Sequence, residues 1–214
     1  LTVIGITSWI AVRESSPGIE SVPFHGILTE LHKRLRELRQ QSAFVWLMIS
    51  RLLFFMGLQA MDNFIQLYLS GSRAEGGLAE SDPELKTTIV LGAVLIMAVI
   101  TAVPAGWLAD RYGKLRLVAT SASLGLLSAI LLMTSQSYWQ VALFAAVLGV
   151  GVGLFTAADW AAALELMPDR RAPGLYMGLS NVATAGGDGL ATLSAGIALD
   201  LLGARAVFAI MAVF

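Results

Sequence analysis

From Ile89 to Leu108 the chain runs for twenty residues without a charged side chain. A helix rises about 1.5 Å per residue, so this run alone crosses the roughly 30 Å hydrocarbon core of a bilayer. Leu117–Ser135 adds nineteen uncharged residues and Tyr138–Ala158 twenty-one. Phe44–Ser70 is interrupted by Arg51 and Asp62, and Ala172–Leu199 only by Asp188. Barrel strands alternate over about ten residues, and these runs do not. With lipid as solvent every backbone N–H and C=O must be paired within the segment, which leaves the α-helix.

Composition agrees: 57% of residues are hydrophobic and 14% charged, against about 25% charged in soluble domains. A net charge of −1 gives no reason to expect a nucleic-acid partner. The absence of cysteine excludes disulfides, thiolate metal sites and a cysteine nucleophile, and two histidines leave little for a metal cluster. No cofactor is expected, and no phosphate-binding Gly-x4-Gly-Lys-Ser/Thr loop occurs.

Residues 1–12 are uncharged but rise only about 18 Å. Residues 206–214 are again apolar and short. Neither is a signal peptide, and both are expected to be remnants of longer transmembrane helices, the chain being truncated at both ends. The expected organisation is the end of a preceding helix at 1–12, a loop at 13–43, and a transmembrane bundle at 44–214. Its helices are expected near 44–70, 87–108, 115–135, 138–165, 173–200 and 205–214. Segments 13–43, 109–117 and 166–174 hold ten basic residues, against three in the alternate loops. The positive-inside bias assigns the first set to the cytoplasm and the chain to the cell membrane. Within 13–43, Leu28, Leu31, Leu35 and Leu38 recur at helical spacing among Lys33, Arg34, Arg36 and Arg39. That pattern predicts a basic amphipathic helix, a solvated linker or a surface-bound one.

Gly106-Trp-Leu-Ala-Asp110-Arg111-Tyr-Gly113-Lys114-Leu-Arg116 joins one helix to the next, and ninety residues later Gly196-x3-Asp200-x2-Gly203 repeats its frame, again followed by Arg. By the charge asymmetry the two copies lie on opposite membrane faces. The fold class expected is therefore an all-α membrane protein, a six-helix bundle of two inverted three-helix repeats.

The stretch from Gly106 to Arg116 resembles the signature cytoplasmic loop of the major facilitator superfamily, Gly-x-Leu-Ala-Asp-Arg-x-Gly-Arg/Lys with a basic tail. The resemblance extends to the layout of the chain: a helix end, a long basic loop, five helices and a sixth begun. It implies the carboxyl-terminal half of a twelve-helix transporter, whose partner would be an amino-terminal six-helix bundle of the same chain. Residues Trp160 to Asn181 and the polar first full helix are similar to the sugar and glycoside symporters of the superfamily. For the loop the resemblance implies conformational control, with Gly106, Asp110, Arg111, Gly113, Lys114 and Arg116 as a latch.

The residues support that role physically. Gly106 and Gly113 permit close contact and a tight turn. Asp110 can accept hydrogen bonds from the N-terminus of the helix beginning near Pro173. Glu165 is a candidate partner for Arg111 or Arg116.

Ionisable groups in mid-membrane normally face a cavity or a partner. Arg51 and Asp62 stand eleven residues apart on one helix face, about 16 Å in height. Gln59, Asn63 and Gln66 complete a polar stripe with Asp62. Asp188 lies in Gly186-Gly187-Asp188-Gly189 with Asn181 seven residues earlier on the same face. The glycines either break the helix at a solute site or serve close packing, with Asp188 pairing Arg51. Gly149 and Gly153 form a Gly-x3-Gly helix-packing frame, and Trp46, Trp107, Trp139 and Tyr138 read as interfacial belt residues.

The function expected is secondary active transport of a small solute by alternating access, with Arg51, Gln59, Asp62, Asn63, Gln66, Asn181 and Asp188 as the substrate and coupling cavity. Asp62 or Asp188 would carry the coupling H+ or Na+. A transporter-like sensor or assembly factor without flux is an alternative. An intramembrane aspartyl protease is a remote one, since position 185 is Ala where its Gly-x-Gly-Asp pattern needs Gly and no Tyr-Asp pair occurs.

Overall fold

The computed structural model describes residues 42–167 and 173–214. Among them run six helices: α1 (Ser42–Ser70), α2 (Pro83–Tyr112), α3 (Lys114–Met133), α4 (Tyr138–Glu165), α5 (Pro173–Leu202) and α6 (Ala206–Val213). A single 3-10 turn, Arg73–Glu75, lies between α1 and α2. The first five helices are long and apolar enough to cross a membrane. The helix end expected at 1–12, the amphipathic helix expected within 13–43 and the arginines at 170 and 171 lie outside the described residues.

The largest departure from expectation is at the signature motif. Residues 109–117 read as a loop, yet α2 continues through Asp110 and Arg111 to Tyr112, and α3 starts at Lys114. One residue, Gly113, makes the whole turn at φ 94°. Charge ends a hydropathic run, but a helix ends only where the backbone leaves helical dihedrals, and glycine does that at no steric cost.

The ninety-residue repeat is visible in the backbone. Helices α2 and α5 are each 30 residues long, beginning at Pro83 and Pro173. Each is followed by a left-handed glycine, Gly113 at φ 94° and Gly203 at φ 84°. Each glycine donates its N–H to the carbonyl four residues back, Ala109 and Leu199, at 3.0 Å. Packing follows the same symmetry: α2 lies along α4 and α1 along α5, α3 against α4 and α1 against α6, while α3 also meets α6. Exchanging α1, α2 and α3 for α4, α5 and α6 turns this set of pairs into itself.

Small residues set the closest approaches. A Cβ on Gly149 would sit 2.9 Å from the Val94 Cα, and one on Gly153 2.5 Å from the Ala98 carbonyl oxygen. On the opposite face of α4, a Cβ on Gly151 would meet the Ser121 carbonyl at 3.1 Å. Alternate glycines thus let α4 nest against α2 and α3 together. A Cβ on Gly187 would lie 2.8 Å from the Leu52 carbonyl, and α5 runs unbroken through Gly186–Gly189. The broken-helix expectation is corrected: α5 is continuous there, and Gly187 brings it against α1.

The Gly203 end is closed by residues 71–82. Leu78 is buried, its N–H donating to the Tyr68 carbonyl at 3.0 Å, and Glu80 N–H donates to the Leu69 carbonyl at 2.9 Å. Tyr68 donates to the Ser135 carbonyl at 3.0 Å and stacks edge-on against Phe208. Trp46, Trp107 and Trp139 are exposed, as belt residues would be, but Tyr138 is buried beneath Lys86.

Candidate functional site

Two groups of polar side chains interrupt the apolar surfaces of the bundle. The first lies where α1 meets α5. Asn63 donates its amide to Thr192 Oγ1 at 3.0 Å and to Asp188 Oδ1 at 3.4 Å. Asp62 is the residue before Asn63 on α1. Asp62, Asn63 and Gln66 are exposed and Asp188 half-buried. Gln59 and Asp62 line a crevice of about 190 Å³ with Leu91, Val94, Ala98 and Val152. Asn181 is exposed on α5, two turns from Asp188. Thr192 was not anticipated. It stands four residues after Asp188, one helical turn on the same face, and that spacing was the available signal.

Arg51 does not join this group and does not reach Asp188. It is buried with Asp159 on α4, each 2% exposed. Its Nε donates to Asp159 Oδ2 at 2.7 Å and its Nη2 donates to the same oxygen. The guanidinium lies 4.8 Å from the centre of the Trp160 ring. Asp159 lies six residues before the end of α4, and the crossing of α1 over α4 puts it opposite Arg51.

The second group surrounds Gly113. Lys114 Nζ pairs with Glu165 Oε2, joining the start of α3 to the end of α4. Glu165 was expected to hold Arg111 or Arg116. Arg111 instead lies over Trp107 at 5.2 Å and Tyr112 at 5.7 Å, and Arg116 is exposed. Asp110, Arg111, Lys114, Arg116 and Glu165 line an open cavity of about 710 Å³. Asp110 also shares a crevice with Pro173 at the start of α5. Gly106 has nothing within 4 Å of where a Cβ would be, so close packing does not require it in this structure.

These 214 residues contain no cysteine, so Lys114→Cys with Glu165→Cys introduces a unique pair here. A short bismaleimide is expected to join them, and Arg111→Cys with Glu165→Cys to be joined far less, as peptide mapping reads. Equal crosslinking of both pairs would contradict the pairing.

A family model described as Major Facilitator Superfamily matches residues 77–214. Among solved structures, the peptide transporter POT, crystallised as a point mutant in complex with sulfate, superposes with a TM-score of 0.69 at 21% identity. That alignment covers 79% of this chain and 35% of the transporter, so the chain spans about a third of that protein's length. The comparison with curated proteins gives no match.

Proposed function

Because the chain belongs to the Major Facilitator Superfamily, we propose that it serves secondary active transport of a small solute by alternating access, driven by a proton or Na+ gradient. The observation that carries this reading is the polar face of α1 and α5, where Asn63 ties Asp188 and Thr192 together beside Asp62. Exposed amides and carboxylates on membrane-spanning helices belong against water, solute or a partner bundle, because lipid leaves them unsatisfied. On this reading Gln59, Asn63, Gln66 and Asn181 contact the solute, and Asp62 and Asp188 hold the coupling ion. The face they share would oppose an amino-terminal six-helix bundle, and Arg51 would act from beneath it.

The Gly113 group supplies the latch. Lys114–Glu165 ties α3 to α4 at one end of the bundle, and Gly113 lets α2 and α3 turn there without a loop. Rocking of the helices would break the pair and open that end; the positive-inside bias of segments 13–43, 109–117 and 166–174 supports its being the cytoplasmic side of a cell membrane. A family of transporters also sets the intramembrane protease aside.

The test is uptake by the intact protein in proteoliposomes under an imposed proton or Na+ gradient. Accumulation of a solute above the gradient-free control is expected. Binding with no accumulation under either gradient would make the protein a sensor. Asp62→Asn together with Asp188→Asn is expected to bring accumulation down to the protein-free baseline, and gradient-driven uptake that survives both would remove them from the coupling role.

A further inference from the structure

The polar face of α1 and α5 is short of positive charge. The membrane-spanning helices hold one basic residue away from their ends, Arg51, and Asp159 already meets its charge. Asp188 receives only a neutral amide N–H, from Asn63. Among the described residues neither Asp62 nor Asp188 has an ion-pair partner. Two carboxylates therefore stand uncompensated on membrane-spanning helices, where an ionised group needs a partner. A single monovalent coupling ion cancels one of these charges and leaves the other.

Shape locates the charge that is left. Asp62 is the one charged residue lining the crevice of about 190 Å³ between α1, α2 and α4. Apart from Gln59 the rest of the lining is apolar, with Leu91, Val94 and Ala98 from α2 and Val152 from α4. An apolar cavity of about 150 Å³ holds a benzene ring, so this crevice has room for a phenyl ring or a short alkyl chain. Neither Asp188 nor Asn63 lines it. An apolar recess with one charged group is how a site selects a small molecule that is apolar at one end and oppositely charged at the other.

We propose that the solute is an organic cation, with an ammonium group set against Asp62 and a phenyl-sized apolar group in the crevice beside it. The inference deepens the transport reading and rests on it. A solute bearing a carboxylate, phosphate or sulfate would bring like charge to a face whose described residues offer no free cation. A sugar would find hydrogen bonds at Gln59, Asn63, Gln66 and Asn181, yet it would set hydroxyls against the apolar lining and leave one carboxylate unpaired. The charge count thus points away from the neutral glycosides that the likeness to sugar symporters implies. The approach agrees with it. Residues 71–86, which connect α1 to α2 and open α2, hold four acidic and two basic side chains. An acidic entrance raises the local concentration of cations.

The test is equilibrium binding of radiolabelled benzyltrimethylammonium, whose charge is fixed at every pH, to the intact protein in lipid nanodiscs without a gradient. Saturable binding is expected. Phenylacetate and methyl β-galactoside are expected not to displace the probe, and tetramethylammonium, which lacks the ring, to displace it at least about tenfold less well. Asp62→Asn is expected to weaken binding at least about tenfold, through loss of the opposing charge. Ala98→Leu, which fills the crevice, is expected to weaken the benzyl compound and spare tetramethylammonium, and the spared cation shows that the variant is folded. Should Asp62→Asn fail to fold, the displacement series on the wild type decides alone. Absence of saturable binding, displacement by phenylacetate or the galactoside as effective as by unlabelled probe, or unchanged affinity in Asp62→Asn overturns the proposal. Binding without gradient-driven accumulation would keep the cation class and remove transport. Gradient-driven accumulation of the galactoside with no cation binding would keep transport and remove the cation class.

Discussion

Gly153→Leu is expected to unfold the bundle or leave it too weak to purify as a single species. The position faces α2, where even a Cβ would fall 2.5 Å from the Ala98 carbonyl. That neighbour is helix backbone and cannot turn aside as a flexible side chain would. The two helices must separate, and the contacts along α2 and α4 go with them. Overpacking a yielding core costs about 1–3 kcal/mol, and an unyielding backbone puts this substitution at or beyond about 3 kcal/mol. Gly92→Ala is the control, because nothing lies within 4 Å of its Cβ position. It is expected to be neutral or to stabilise by up to about 1 kcal/mol, since glycine in a helix interior is the poorer residue. Size-exclusion profiles and apparent Tm in detergent read both. Equal behaviour of the two variants would show that α2 and α4 do not approach as described.

The second large effect is at the buried pair. Asp159→Ala leaves Arg51 charged and 2% exposed with no counter-ion, and removing one partner of such a pair costs about 3–5 kcal/mol. Arg51→Met combined with Asp159→Leu removes both charges and keeps the volume apolar, which is often neutral or stabilising. The single variant is therefore expected to melt well below the wild type and the double variant close to it. If the double variant is as unstable as the single one, the pair contributes shape and not charge.

The spans were legible because a bilayer imposes a length and removes every alternative to the helix. Their ends were less so. Asp110 and Arg111 look like loop residues by polarity, yet they are the last turn of α2 before Gly113. The stripe of Asp62, Asn63 and Gln66 could be traced because helical spacing is local. Its closure by Asp188 and Thr192 could not, since residues 125 and 129 positions apart meet only through the crossing of α1 and α5. The same limit hid the partner of Arg51, 108 positions away. Charge complementarity pointed Arg51 to Asp188, whereas the crossing of α1 over α4 brings Asp159 to it. For Glu165 the sequence offered Arg111 or Arg116, and the single-residue turn at Gly113 brings Lys114 to it instead.

The interlocked pairing of helices also governs the order in which the chain can become stable. Synthesis delivers α1, α2 and α3 first, yet their extensive neighbours are α5 and α4, which come later. Helix association in lipid relies on close fit between surfaces already inserted, so each early helix waits in the bilayer with its fitting surface uncovered. The groove on α2 that receives Gly149 and Gly153 is the first to be filled, when α4 enters, and α3 is clasped by the same helix through Gly151. Arg51 gains its counter-ion at that moment too. Only α1 then still lacks its long partner, until α5 brings Gly187 against Leu52. A ribosome halted after α3 would leave these three helices with scarcely a bundle among them, whereas one halted after α4 would already hold most of the α2–α3–α4 layer.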